Sequence, residues 1–76
     1  MTEDETLDTM GLLCPLPVLK ARKRLKAMAP GKVLRVLATD PAAVIDMPHF
    51  CAESGHVLLS MDGLPDGSRA FLIRRS

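Results

Sequence analysis

The spacing of apolar positions changes several times along the chain, and each change predicts an element. Thr6 to Met10 is short and partly apolar, and predicts a first strand ending at Gly11. From Pro15 to about Ala29 the period becomes helical, with Val18, Ala21, Leu25 and Met28 on one stripe. Pro30-Gly31 stops that helix. Lys32 to Ala38 is short and rich in branched residues, with Leu34, Val36 and Ala38 on one face, as a strand requires. Thr39-Asp40-Pro41 then opens a second helix, with Thr39 or Asp40 as cap and Pro41 at its first position. Val44, Met47 and Cys51 fall on one side of it, with Ile45 and Phe50 alongside. Pro48 interrupts the pattern and removes a helical hydrogen bond, so a kink or a re-start capped by Asp46 is expected. After Ser54-Gly55, His56 to Met61 and Arg69 to Arg74 read as two strands joined by the turn-rich segment Asp62 to Gly67.

The resulting order is βαβαββ. Two helices cover one face of a four-stranded sheet in so short a chain, which predicts an α/β (α+β) two-layer sandwich. The sheet is mixed, with the first two strands parallel through a crossover and the last two forming a hairpin. Residues 1–5 are expected to be a flexible acidic tail and residues 6–76 a single domain.

Composition narrows the possible functions. A chain of 76 residues has room for one core and no separate catalytic domain. It holds no tryptophan or tyrosine and two phenylalanines, so the core is aliphatic and the stacking platforms of single-strand nucleic-acid binders are missing. A net charge of +1 gives no global attraction to nucleic acid or to an acidic membrane. Positive charge is nevertheless concentrated in Lys20, Arg22, Lys23, Arg24 and Lys26, and again in Arg69, Arg74 and Arg75. No apolar run is long enough to span a bilayer, and the acidic N-terminus is unlike a signal peptide. Two distant cysteines make no disulfide framework. A reducing, cytoplasmic setting and no membrane partner are expected.

The candidate chemistry is at Cys14, in the run Gly11-Leu12-Leu13-Cys14-Pro15-Leu16-Pro17. The thiol stands where an extended segment gives way to a helix. Pro15 and Pro17 are tolerated in a first helical turn and stiffen the residues before them, which presents the sulfur ahead of the helix. A helix start favours an anion by about 0.3–1 kcal/mol, and Lys20, Arg22 and Lys23 add positive charge further along. A depressed thiol pKa is therefore expected. Free cysteine more often packs as a small hydrophobe. Cys51, on the apolar side of the second helix, fits that description, unless it approaches Cys14 closely enough to act as a resolving thiol. His49 and His56 read as surface or capping residues. Together with the two cysteines they match no spacing of a structural zinc site, so neither metal nor cofactor is expected.

These residues resemble the TusA/SirA family of sulfur-carrier proteins. The resemblance begins at Leu7-Asp8 and runs through Gly11 and the Cys-Pro-x-Pro signature of Cys14 to Pro17. It continues through Pro30-Gly31, Asp40-Pro41, Asp46, Pro48, Phe50-Cys51 and Gly55-His56. It implies the βαβαββ sandwich and a cysteine that accepts sulfane sulfur as a persulfide and passes it on. On that reading Cys14 bears the sulfur, framed by Gly11, Pro15 and Pro17. The implied partners are a cysteine desulfurase or rhodanese-like donor and a DsrE-like or other acceptor protein. The implied pathways are tRNA 2-thiouridine synthesis, sulfur oxidation and cofactor sulfuration. Leu13 replaces a basic residue that tRNA-pathway members commonly carry, and Leu16 an acidic one found in some, so the rim of the site is more apolar here. Leu13, Leu16 and Leu19 are expected to form the apolar centre of a docking surface, with Lys20, Lys23 and Arg24 as its cationic rim. A thiol-redox module and a small RNA-binding module are the alternatives from other classes; the first depends on Cys51, the second on direct contact with tRNA.

Overall fold

A computed structural model describes residues 3–76. The elements are β1 (Glu5–Asp8), α1 (Leu16–Ala27), β2 (Val33–Ala38), α2 (Ala43–Ser54), β3 (Val57–Gly63) and β4 (Arg69–Arg74). They form one four-stranded mixed sheet in the order β1-β2-β4-β3, with β1 parallel to β2 and the other pairings antiparallel. The βαβαββ order is the one expected from the apolar pattern.

Alternation in β2 and β4 decides where the core sits. Leu34, Val36 and Ala38 share one face of β2, and the register sets Leu34 opposite Ile73 and Val36 opposite Phe71. These side chains are fully or almost fully buried under Ala21, Leu25 and Met28 of α1 and its C-cap and Ala43, Met47 and Cys51 of α2. Both helices therefore pack on the same face. Arg35 and Leu37 alternate onto the other face, which no helix covers.

Topology brings the two helix starts together. β1 and β2 are parallel neighbours, and each is followed by a helix that doubles back over the sheet. The β1–α1 and β2–α2 connections therefore lie side by side at one end of the sheet, the end at which open α/β sheets place their sites. Asp4 and Glu5, assigned to a flexible tail, instead belong to the sheet. Asp4 N–H donates to the Val33 carbonyl (2.8 Å), its carboxylate accepts from Val33 N–H (2.8 Å), and Glu5 opens β1. Residues 1 and 2 of that segment lie outside the described residues.

The second helix departs from expectation in two places. Its buried stripe is Ala43, Met47 and Cys51, whereas Val44 is half-buried and Ile45 is 74% exposed. Spacing alone did not fix the rotation of that stripe. Pro48 does not re-start the helix: Ala43–Ser54 is continuous through it. The proline costs the Val44 carbonyl its usual donor, and Asp46, rather than capping a second segment, turns towards Cys14.

Phe71 is the largest fully buried side chain and belongs, from β4, to the same core cluster as the buried residues of both helices. Phe71→Ala is expected to cost about 3–5 kcal/mol, a large part of the stability of a domain this size. A urea titration followed by circular dichroism checks this, with the midpoint falling and the slope retained.

Candidate functional site

The segment leading to Cys14 is tied down residue by residue. Asp8 Oδ1 accepts the Met10 N–H (2.8 Å), and the buried Thr9 donates both its N–H (2.8 Å) and its hydroxyl (2.6 Å) to the Leu37 carbonyl. Gly11 then takes a left-handed conformation (φ 81°), which accounts for glycine at that point. Its N–H donates to Thr39 Oγ1 (2.8 Å). Three residues on, the Cys14 N–H donates to Asp40 Oδ2 (2.6 Å), while the other oxygen of Asp40 accepts the Ala42 N–H (3.1 Å). One carboxylate thus closes the turn into α2 and fixes the backbone of Cys14. The Cys14–Pro15 peptide bond is cis.

Helix α1 begins at Leu16, with Pro15 at the cap and Pro17 buried in the first turn. This start does not favour a thiolate, contrary to the expectation from sequence. Pro15 and Pro17 carry no N–H, the Cys14 N–H is bound by Asp40, and the Leu16 N–H donates to the Leu13 carbonyl (2.9 Å). The N–H groups of positions 14 to 17 are thus absent or engaged and leave an anion little to bind there. Asp46 supplies the opposite influence. The hydrogen-bonding influence of its carboxylate, partial desolvation and the negative charges of Asp46 and Asp40 all act in the same sense on the thiol. The Cys14 pKa is therefore raised above the ordinary cysteine value, a correction to the expected depression.

Cys14 opens onto a groove of about 480 Å³ between the two helices. Pro15, Val18 and Arg22 form the α1 wall; Asp46, His49, Phe50 and Glu53 form the α2 wall, both at helical spacing. His49 Nε2 lies 2.6 Å from Glu53. His56 is placed elsewhere, where its Nδ1 accepts the Ser76 N–H (3.1 Å); burial and the nearby Arg75 lower its pKa. Among the described residues no cluster of three or more His, Cys, Asp or Glu could hold a metal ion.

Several large apolar side chains close to Cys14 in sequence are exposed. Leu13 is 69% exposed, Leu16 45% and Leu19 48%, and Met10 on the same loop is 41% exposed. Lys20 and Lys23 are exposed further along α1. Arg24 differs: it is half-buried and pairs with Glu5 of β1 (3.1 Å), so it ties helix to sheet. Cys51 is 3% exposed in the core, its thiol pKa raised by burial, while Cys14 is exposed; both are free thiols. A resolving role for Cys51 would require the core to open. The sequence did not reveal Asp46, Thr39 or Phe50 as parts of the site, whereas Arg22, expected to add positive charge near the thiol, does line the groove. For Asp46 and Phe50 the signal was available only in the i, i+3, i+4, i+7 spacing of Asp46, His49, Phe50 and Glu53, which reads equally as an ordinary solvated face.

The family model for sulfurtransferase TusA matches residues 5–75. The chain belongs to the TusA family. It is 46% identical over 74 residues to the sulfur carrier protein TusA of Allochromatium vinosum, covering 96% of this chain and 95% of the relative. A putative sulfur carrier protein of Neisseria meningitidis serogroup A is 58% identical over 55 residues, 72% of this chain and 74% of that protein. A crystal structure of a SirA-like protein from Desulfitobacterium hafniense superposes with a TM-score of 0.84 at 24% identity, over 92% of this chain and 95% of that one, which bears on the fold alone. The protein is a sulfur carrier, and such a carrier exchanges sulfur with donor and acceptor proteins. No helix among the described residues is long and apolar enough to cross a membrane.

The Asp40 clamp makes a direct prediction. Asp40→Ala removes two hydrogen bonds with an ionised acceptor, and is expected to lower stability by about 1–2 kcal/mol. Amide hydrogen exchange should show faster exchange confined to Cys14 and the first turn of α2.

Proposed function

We propose that Cys14 is the sulfur-bearing residue, and that it accepts sulfane sulfur as a persulfide from a donor enzyme and passes it to an acceptor protein. The observation that supports this most strongly is an exposed thiol on a backbone held by Thr39 and Asp40, with exposed leucines at positions 13 and 16 on either side of it in the chain. A surface cysteine without a role has no use for such a mounting.

In loading, Cys14 Sγ attacks the terminal sulfur of a donor persulfide. A new bond forms from Sγ to that sulfur, and the donor's own S–S bond breaks. The electron pair leaves with the donor cysteine, which takes up the proton that Cys14 gave up, so no outside oxidant or reductant is needed. Delivery to the acceptor is the same exchange with Cys14 as the leaving sulfur. The carrier requires no general base of its own, because its partners bring their catalytic groups. The chemistry of the donor fits a cysteine desulfurase or a rhodanese-like enzyme, and a DsrE-like protein fits as acceptor. Pathways ending in tRNA thiolation, sulfur oxidation or cofactor sulfuration share this step.

Docking would rest on Leu13, Leu16 and Leu19, which are exposed beside the thiol, with Lys20 and Lys23 steering an acidic partner. Arg24 is the weakest member of that rim, since Glu5 already holds it.

Intact-mass analysis tests the assignment. After incubation with a cysteine desulfurase and cysteine, or with inorganic polysulfide, wild type and Cys51→Ser should gain one sulfur that reductant removes, and Cys14→Ser none. Gain of sulfur by Cys14→Ser would overturn it. Leu16→Glu should slow loading from the enzyme about tenfold or more, as expected for a charge placed in an interface centre, and leave loading from polysulfide unchanged.

A further inference from the structure

Both helices cover one face of the sheet, and the other face carries side chains that water alone does not favour. A sheet face turned to solvent is ordinarily polar. Here the register sets Leu37 of β2 and Leu72 of β4 on the open face, half-buried although no helix lies over them, and Val57 of β3 is 40% exposed on the same face. Four charged residues frame this apolar strip, and the two signs are separated along the strands. Arg74 stands in the row of Val33 and Val57, at the start of β2, and Arg35 stands one row further on, opposite Leu72. Asp8 and Asp62 stand in the row of Leu37 and Ala70, towards the end of β2, on the two outer strands. Among the described residues none of the four forms an ion pair, and only Asp8 has an oxygen in use, for the Met10 N–H. Arg35 and Asp8 are diagonal neighbours on paired strands and still do not pair.

We propose that this open face is the contact between two copies of the chain, packed sheet on sheet about a two-fold axis with their strands running in opposite directions. That arrangement lays the arginine end of each face over the aspartate end of the other, and the two-fold axis makes every pairing occur twice. It also closes Leu37 and Leu72 from water between the sheets. The charge pattern is what selects a second copy. A partner steered by one sign of charge needs a face of the opposite sign, whereas this face holds two cations and two carboxylates at opposite ends and is its own complement once reversed. Sheets stack face to face about 10 Å apart, a gap that arginine and aspartate side chains bridge together. A net charge of +1 leaves little repulsion between copies. The Cys14 groove lies between the helices, on the far side of the sheet from this contact, so the dimer presents two sites outward. The contact does not depend on which residue bears the sulfur.

Sedimentation equilibrium in the presence of reductant, which removes any disulfide-linked dimer, tests this. Wild type and Cys14→Ser should associate reversibly to dimers with the same Kd. Arg74→Glu and Asp62→Arg, each checked for native circular dichroism, should each weaken self-association about tenfold or more, since either change sets like charges against one another twice. Mixed in equal amounts, the two variants should recover a heterodimer of near wild-type affinity, because the two reversed charges then face each other and the two native ones do likewise. A wild type that stays monomeric at millimolar concentration overturns the second copy as occupant and leaves the face to a different protein. Dimerisation undiminished by either reversal overturns this face as the contact. Loss of the dimer in both variants without recovery on mixing overturns the pairing of the arginine end with the aspartate end.

Discussion

Two hydrogen bonds from the β2–α2 connection to the β1–α1 connection govern this site: Gly11 N–H to Thr39 Oγ1 and Cys14 N–H to Asp40 Oδ2. Each joins residues distant in sequence, and each exists because β1 and β2 are parallel neighbours whose following helices start at the same end of the sheet. A surface loop ordinarily varies in conformation because few contacts oppose it. Here the sheet register fixes where Thr39 and Asp40 stand, and they fix where the sulfur stands. The core therefore positions the chemistry without contributing an atom to it. A transfer between two proteins needs this, because the attacking sulfur must meet its target along a defined line and the partner cannot search for it.

The same carboxylates set the reactivity. Asp40 is close to Cys14 for a structural reason, since it holds the backbone N–H; its charge is a consequence that the thiol must bear. Asp46 has no structural duty to the loop and adds to the effect. The two prolines, read from the chain as presenting a thiol to a helix dipole, act differently in the folded protein. They remove N–H donors from the first turn, so that turn offers the sulfur little to bind. Stiff geometry and a stabilised thiolate were expected together, and the structure provides the first without the second.

The β2 and β4 faces were legible because alternation over six residues depends only on local period, and the Cys-Pro-x-Pro run because its restrictions are local too. The rotation of α2 was not. Ile45 and Ala43 differ by two positions, or about half a turn, and only the packing of α2 on the core decides which of them is buried. Asp46 was misread for a related reason. Near Pro48 a carboxylate is a reasonable cap for a re-started helix, and nothing short of the α1–α2 packing shows that it reaches a thiol over thirty residues earlier. Arg24 and Glu5 belong to the same class, a pair made by a crossover, with neither partner informative alone.

A carrier of this size meets opposite demands on one sulfur atom. It must be exposed enough to enter another enzyme's active site, and yet persist in solution between encounters. Burial would protect it but end the function; Cys51 shows what that looks like, a thiol in the core out of reach of any partner. An exposed sulfur can be protected only by its protonation state or by its immediate neighbours, and both are in place here. Leu13 and Leu16, close to it in the chain, are exposed, so a partner that covers them gains binding energy by removing them from water. Asp46 and Asp40 raise its pKa, which favours the thiol over the thiolate. On the proposed assignment of Cys14, recognition and sulfur presentation share a single surface, so one small domain needs no separate binding site.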